Sequence, residues 1–217
     1  MKPSIKLHSI AFALSTAIIF SIWTGASELV QIHPALKITL GALVSLGLYR
    51  LLAQGIVYLT RKSVMFKKLF LGPYYLGGTW VGFYIGISGK ERFLIERFEQ
   101  DIDALVIRGK SYDETLKYHA AWTASSVNID IIKGRISYMY ECTPINENLN
   151  GNGVAIFDFQ RENQYSIPKR LSGFSADLHI GQRTKALEIK ISDDCNVVEN
   201  EALNKAKKLF KENKDKF

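Results

Sequence analysis

Cysteine is scarce in this 217-residue chain. Its two thiols, Cys142 and Cys195, stand in unrelated contexts without metal-ligand spacing, so neither a disulfide framework nor a thiolate metal centre is encoded. They read as reduced thiols of a cytoplasmic compartment. The histidines His8, His33, His119 and His179 are scattered, and no nucleophilic triad, Walker loop or dinucleotide-binding glycine fingerprint occurs. Catalysis and a resident cofactor are therefore not expected. Asp101 and Asp103 form a D-x-D that a divalent ion could use, but they fall at an expected hairpin and read as a turn cap. The glycines Gly151 and Gly153 are likewise expected in a turn, because no helix N-terminus follows them to hold a phosphate.

Acid is nearly missing from the first 68 residues. Glu28 stands there against eight basic side chains, so the formal net charge of +7 lies wholly in that stretch. From residue 69 onward, 20 basic and 20 acidic residues balance, which argues against a platform for DNA or long RNA.

No charge occurs between Lys6 and Glu28, and residues 10–25 read IAFALSTAIIFSIWTG, long enough with their flanks to cross a bilayer. Pro34 opens a second candidate span over 35–59, interrupted by Arg50 and Gln54. Lys2 and Lys6 precede the pair and Arg61, Lys62, Lys67 and Lys68 follow it, so positive-inside bias places both ends in the cytoplasm. A signal peptide competes for the first span, yet the second would still leave the remainder cytoplasmic. Arg50 and Gln54 are one turn apart. Either Arg50 snorkels to the inner headgroups, or the two line a polar seam when copies assemble. Gly41 with Ser45, and Ala13 with Ala17, have the small-xxx-small spacing of close helix contacts. RKSVMFKKLF at 61–70 reads as an interfacial amphipathic segment, ended by Pro73. The expected organisation is a first span and external loop (1–33), a second span and basic segment (34–72), a β domain (73–194) and a terminal amphipathic helix (195–217).

From Gly77 short runs of β-formers alternate with turn signals. Eight strands are expected near 78–87, 91–99, 102–110, 118–132, 135–143, 153–160, 169–179 and 183–192. Ser88-Gly89, Gln100-Asp101, Lys133-Gly134 and Ile180-Gly181 suit two-residue hairpin loops, and NENLNGNG a longer turn. Eight strands without a crossover helix suit an antiparallel up-and-down β-barrel, with a β-sandwich as the alternative. Residues 197–213 read as a helix whose Ala202, Ala206, Leu209 and Phe210 pack on the barrel wall.

Those loops assign faces. They put Trp80, Tyr84, Phe93, Ile95, Arg97, Val106 and Arg108 on one face; they group Val127 and Ile129 with Tyr138 and Tyr140, and Arg170 with Phe174, Leu187 and Ile189. If these faces line the barrel, Arg97, Arg108 and Arg170 need anionic partners, either internal acids or a ligand. With Trp80, Tyr84, Tyr138 and Tyr140 as stacking surfaces, the set suits a compact nucleotide. Trp80 has a second reading, as the tryptophan that plugs a barrel floor.

The two spans and the β domain opening LGGTWVGFYIG, with Gly78, Trp80, Gly82 and Tyr84, resemble the CD-NTase-associated protein 15 family. These are two-transmembrane, β-strand-rich effectors of bacterial anti-phage CBASS systems. The resemblance implies a bacterial inner-membrane protein whose barrel binds a cyclic dinucleotide made by a partner nucleotidyltransferase. It further implies homo-oligomerisation through the membrane segments and disruption of inner-membrane lipid. A tethered barrel for a fatty acid or other apolar ligand, predicting an apolar interior, and a ligand-free docking scaffold, predicting a filled barrel, remain alternatives.

Overall fold

A computed structural model describes residues 2–26, 34–86, 88–144, 151–178 and 181–216. It divides into two compact units, Met1–Leu71 and Gly72–Phe217. The loop carrying Glu28 and His33, part of the NENLNGNG turn, and Ile180 lie outside the described residues.

The first unit holds α1 (Pro3–Ala26), α2 (Pro34–Lys62) and the short α3 (Val64–Leu71). Within these, Pro3–Gly25 and Ile38–Lys62 are long and apolar enough to cross a membrane. Their packing supports membrane association, because only a narrow stripe is covered. Leu7, Ala11 and Ser15, four residues apart on α1, are buried. Phe12, Phe20, Ile38, Leu46 and Leu51 face outward, an arrangement costly in water and favourable in lipid. Ala13 and Ala17 are exposed, so the small residues that let α1 pack closely are Ala11 and Ser15 instead. Gly41 does take a close neighbour, the Trp23 ring at 3.7 Å from where a Cβ would sit. His8 Nδ1 and Tyr49 Oη meet at 2.6 Å, and Lys6 Nζ donates to the Phe70 carbonyl at 2.9 Å, satisfying the last turn of α3. Arg50 and Gln54 are exposed.

In the second unit, β1 (Gly78–Ile85), β2 (Glu91–Gln100), β3 (Leu105–Tyr112), β4 (Tyr118–Asp130), β5 (Arg135–Pro144), β6 (Gly151–Gln160), β7 (Arg170–Asp177) and β8 (Arg183–Ser192) pair in sequence order. β8 closes antiparallel onto β1, giving an up-and-down barrel rather than a sandwich. Asp101 and Asp103 lie in the β2–β3 turn, where the Asp101 N–H donates to Ala104.

One end of the barrel, where β1 begins, is plugged. Trp80 is fully buried there, 5.3 Å from Phe98 between ring centroids, and its Nε1 donates to the Leu76 carbonyl at 2.7 Å. Leu76, Ile107, Ile136 and Leu171 complete the plug. Gln100 clasps the strand that leads in: its Oε1 accepts from the Leu76 and Gly77 N–H groups, and its Nε2 donates to the Tyr74 carbonyl.

A second apolar cluster lies outside the barrel. The helix α4 (Glu199–Asn213) buries Ala202, Leu203, Ala206, Leu209 and Phe210 against Val81, Phe83, Phe93, Ile95 and Leu187. Phe210 stands edge-on to both Phe83 and Phe93. This cover explains why both faces of β1 are apolar: Trp80 and Tyr84 point in, Val81 and Phe83 point out under α4.

Candidate functional site

One loop decides which side chains meet inside. Gly86 donates its N–H to the Lys90 carbonyl, and Gly89, at φ +74°, donates back to Gly86. The β1–β2 connection is therefore a three-residue loop with a left-handed glycine, not the two-residue Ser88-Gly89 turn expected from the sequence. Adding one residue flips the whole of β2. Trp80 pairs with Glu96 rather than Arg97, Gly82 with Leu94, and Tyr84 with Arg92.

The expected arginine set is thereby moved outside. Arg97 and Arg108 do pair with each other across β2 and β3, but on the outer wall beside Phe93 and Ile95. Arg108 is bonded to Glu99, both well exposed. Arg170, Leu187 and Ile189 share a face as expected, again the outer one, where Arg170 Nη2 donates to Asn213 Oδ1 of α4 at 2.7 Å. None of the three lines the barrel. Tyr138 and Tyr140 point inward with Val127 and Ile129, as expected, because the four-residue loop at Lys133-Gly134 differs from a two-residue one by an even number. Trp80 belongs to the plug.

Above the plug, towards the end where β1 finishes, lies a cavity of about 170 Å³. Tyr84, Trp122, Tyr138, Tyr140 and Phe157 supply its aromatic walls. Tyr138 stacks on Phe157 at 6.2 Å and 18°. Inward-facing glycines make room for these groups. The Trp122 ring lies flat over Gly109, where a Cβ would sit 2.0 Å from it, and Tyr140 covers Gly153 in the same way. Ser175 hydrogen-bonds the Tyr140 hydroxyl, and burial pushes that phenol up to about 12. The same desolvation raises Tyr84 and, most strongly, Tyr138.

Two acids form the polar base of the cavity. Glu96 and Glu188 are each 1% exposed and reach each other across the strand that separates them, β1, over the side-chain-free Gly82. Glu96 Oε1 accepts from Trp122 Nε1 at 2.7 Å and from the Tyr138 hydroxyl at 3.1 Å. The two carboxyls also hydrogen-bond each other, which requires a proton between them. Burial raises both. Glu188 is held well above the usual carboxylate range because the neighbouring charge adds to desolvation, whereas the donors on Glu96 offset part of its burial. The pair therefore retains a proton, shared between Glu96 and Glu188.

Among the described residues, no lysine, arginine or histidine lines this cavity. Arg92, the cross-strand partner of Tyr84, stands on the inner face at the open rim, and its Nη1 is 3.5 Å from Glu114. Sequence reasoning missed Glu96, Glu188, Trp122 and Arg92. An inward Trp80 with a three-residue loop puts Arg92, Leu94 and Glu96 inside, a parity that no local pattern on β2 marks because both of its faces are apolar. Described residues hold no group of acids, histidines or cysteines arranged for a metal. Comparison of the chain with protein-family profiles, curated proteins and solved structures found no match, so the geometry of this cavity carries the functional reading.

Proposed function

We propose that the chain is a membrane-anchored sensor: its barrel takes a flat ligand into the open end, and ligand binding drives self-association of the two-helix segment. The observation that carries this reading is a ring-sized, aromatic-walled cavity in a chain with two helices of membrane-crossing length. The ligand we favour is a cyclic dinucleotide produced by a partner nucleotidyltransferase. At about 170 Å³ the cavity is smaller than a typical drug-sized pocket, so one base enters and the ribose-phosphates stay at the rim, where Arg92 can meet them. Outer arginines have no part in that contact.

The setting is a bacterial inner membrane with N-terminus and barrel in the cytoplasm, following the basic flanks of the helices. The ligand acts by population shift: the assembled state must bind it more tightly than the monomer does. Exposed Arg50 and Gln54 then form a polar seam between copies, and assembly disrupts the bilayer, killing the cell. The buried acids argue against a fatty acid, whose alkyl chain would leave the open oxygens of Glu96 and Glu188 unsatisfied, and the open cavity argues against a filled scaffold.

The test uses the full chain in detergent micelles, with calorimetry against a panel of cyclic dinucleotides and fatty acids. Micromolar binding of a cyclic dinucleotide is expected; no binding by any of them refutes the proposal. Arg50→Leu is expected to leave that binding unchanged while reducing toxicity on expression.

A further inference from the structure

The buried acids at the base of the cavity leave acceptor oxygens open to a ligand. Glu96 Oε1 already takes two donors, while Glu96 Oε2 and Glu188 Oε2 receive none from the protein beyond what the two carboxyls share. Both acids are almost wholly buried and both line the cavity. A buried carboxyl oxygen without a donor costs free energy that an incoming N–H would recover. The walls limit the shape to something flat, and the volume limits it to one ring system. With no cationic side chain among the described lining residues, and with Glu96 and Glu188 at the base, an anionic group meets no counter-charge inside.

We propose that the cavity reads a flat ring through an exocyclic amino group, which donates to the Glu96–Glu188 pair, and leaves any charged part of the ligand outside the rim. This rests on the sensor reading above and names which part of the ligand is recognised: amino-substituted bases enter, and their deaminated or unsubstituted counterparts are rejected. Discrimination follows from the unpaired acceptors, because a site built to bond an N–H is left unsatisfied by the analogue that lacks it.

The probes are 2-aminopurine and unsubstituted purine, titrated against the full chain in micelles, with 2-aminopurine fluorescence as the signal and purine as competitor. The expected result is that 2-aminopurine binds on the order of tenfold or more tightly than purine. Glu96→Met together with Glu188→Met, which keeps the volume and removes both acceptors, is expected to bring the two affinities together while purine binding persists. Ala120→Leu, which fills the cavity near the rim without touching the acids, is expected to remove binding of both. Equal affinities in the unaltered chain, or a preference that survives the removal of both acids, overturns the proposal; should that double variant fail to fold, the unaltered chain and Ala120→Leu still decide it. Cyclic dinucleotides added as competitors separate this inference from the sensor reading. If 2-aminopurine binds selectively but no cyclic dinucleotide displaces it, the sensor reading fails and the amino-edge site stands. If cyclic dinucleotides bind and 2-aminopurine does not displace them, the amino-edge site fails alone.

Discussion

Replacing Glu188 with glutamine should change how the protein's stability depends on pH. In the unfolded chain Glu188 releases its proton near the ordinary glutamate value of about 4.3, while in the barrel burial and the Glu96 charge hold the proton on. Between those two values the folded state binds one proton more than the unfolded state, so stability falls as pH rises. The Glu188 contribution is fully present below the unfolded value and is lost towards the folded one. The slope for one retained proton is about 1.4 kcal/mol per pH unit. For a domain of this size that is about 3–6 °C in Tm per unit. Glu188→Gln keeps a donor to Glu96 but has no proton to lose, so its Tm should gain on the unaltered chain by that amount per unit as pH rises above about 5, until the folded-state value of Glu188 is passed. Other titratable groups lining the cavity with the pair are Tyr84 on β1, Tyr138, Tyr140 and Cys142 on β5, and Asp177 on β7, and all are common to both proteins. Asp113 and Glu199, lowered by hydrogen bonds, act in the opposite direction and at more acid pH. Scanning fluorimetry of both chains in micelles across this range is the assay. Parallel Tm curves would refute a proton held between the two acids.

Trp80→Ala should cost about 3–5 kcal/mol, read as the loss of cooperative melting, because it empties the plug. Arg92→Ala should weaken a cyclic dinucleotide in calorimetry while leaving an uncharged base unaffected; Arg97→Ala and Arg108→Ala, on the outer wall, should change neither by more than about twofold. Phe210→Ala should destabilise by about 3 kcal/mol or more and expose α4 to limited proteolysis, since the helix is held mainly by its apolar stripe. Gly109→Ala should displace Trp122 and reduce ligand binding more than an outward change such as Lys110→Ala.

Element boundaries were legible in the sequence because periodicity and turn residues are local signals: Arg183–Ser192 coincides with the expected strand, and α4 was visible from Ala202, Ala206, Leu209 and Phe210. So was the apolar helix pair, written in an unbroken uncharged run and its basic flanks. Antiparallel neighbours followed from short loops. The contents of the cavity were not legible. A single extra residue between β1 and β2 exchanged Arg97 for Glu96 on the inner face, converting an expected cationic interior into an acidic one. That error could not be detected locally, since β2 is apolar on both faces: Phe98 meets the plug and Phe93 meets α4. Sequence alone therefore determined the parts, the order and the membrane-length helices. Tertiary structure alone decided which face each strand turns inward, because only barrel closure and the docking of α4 settle which of two apolar faces is enclosed, and with it which charges line the site.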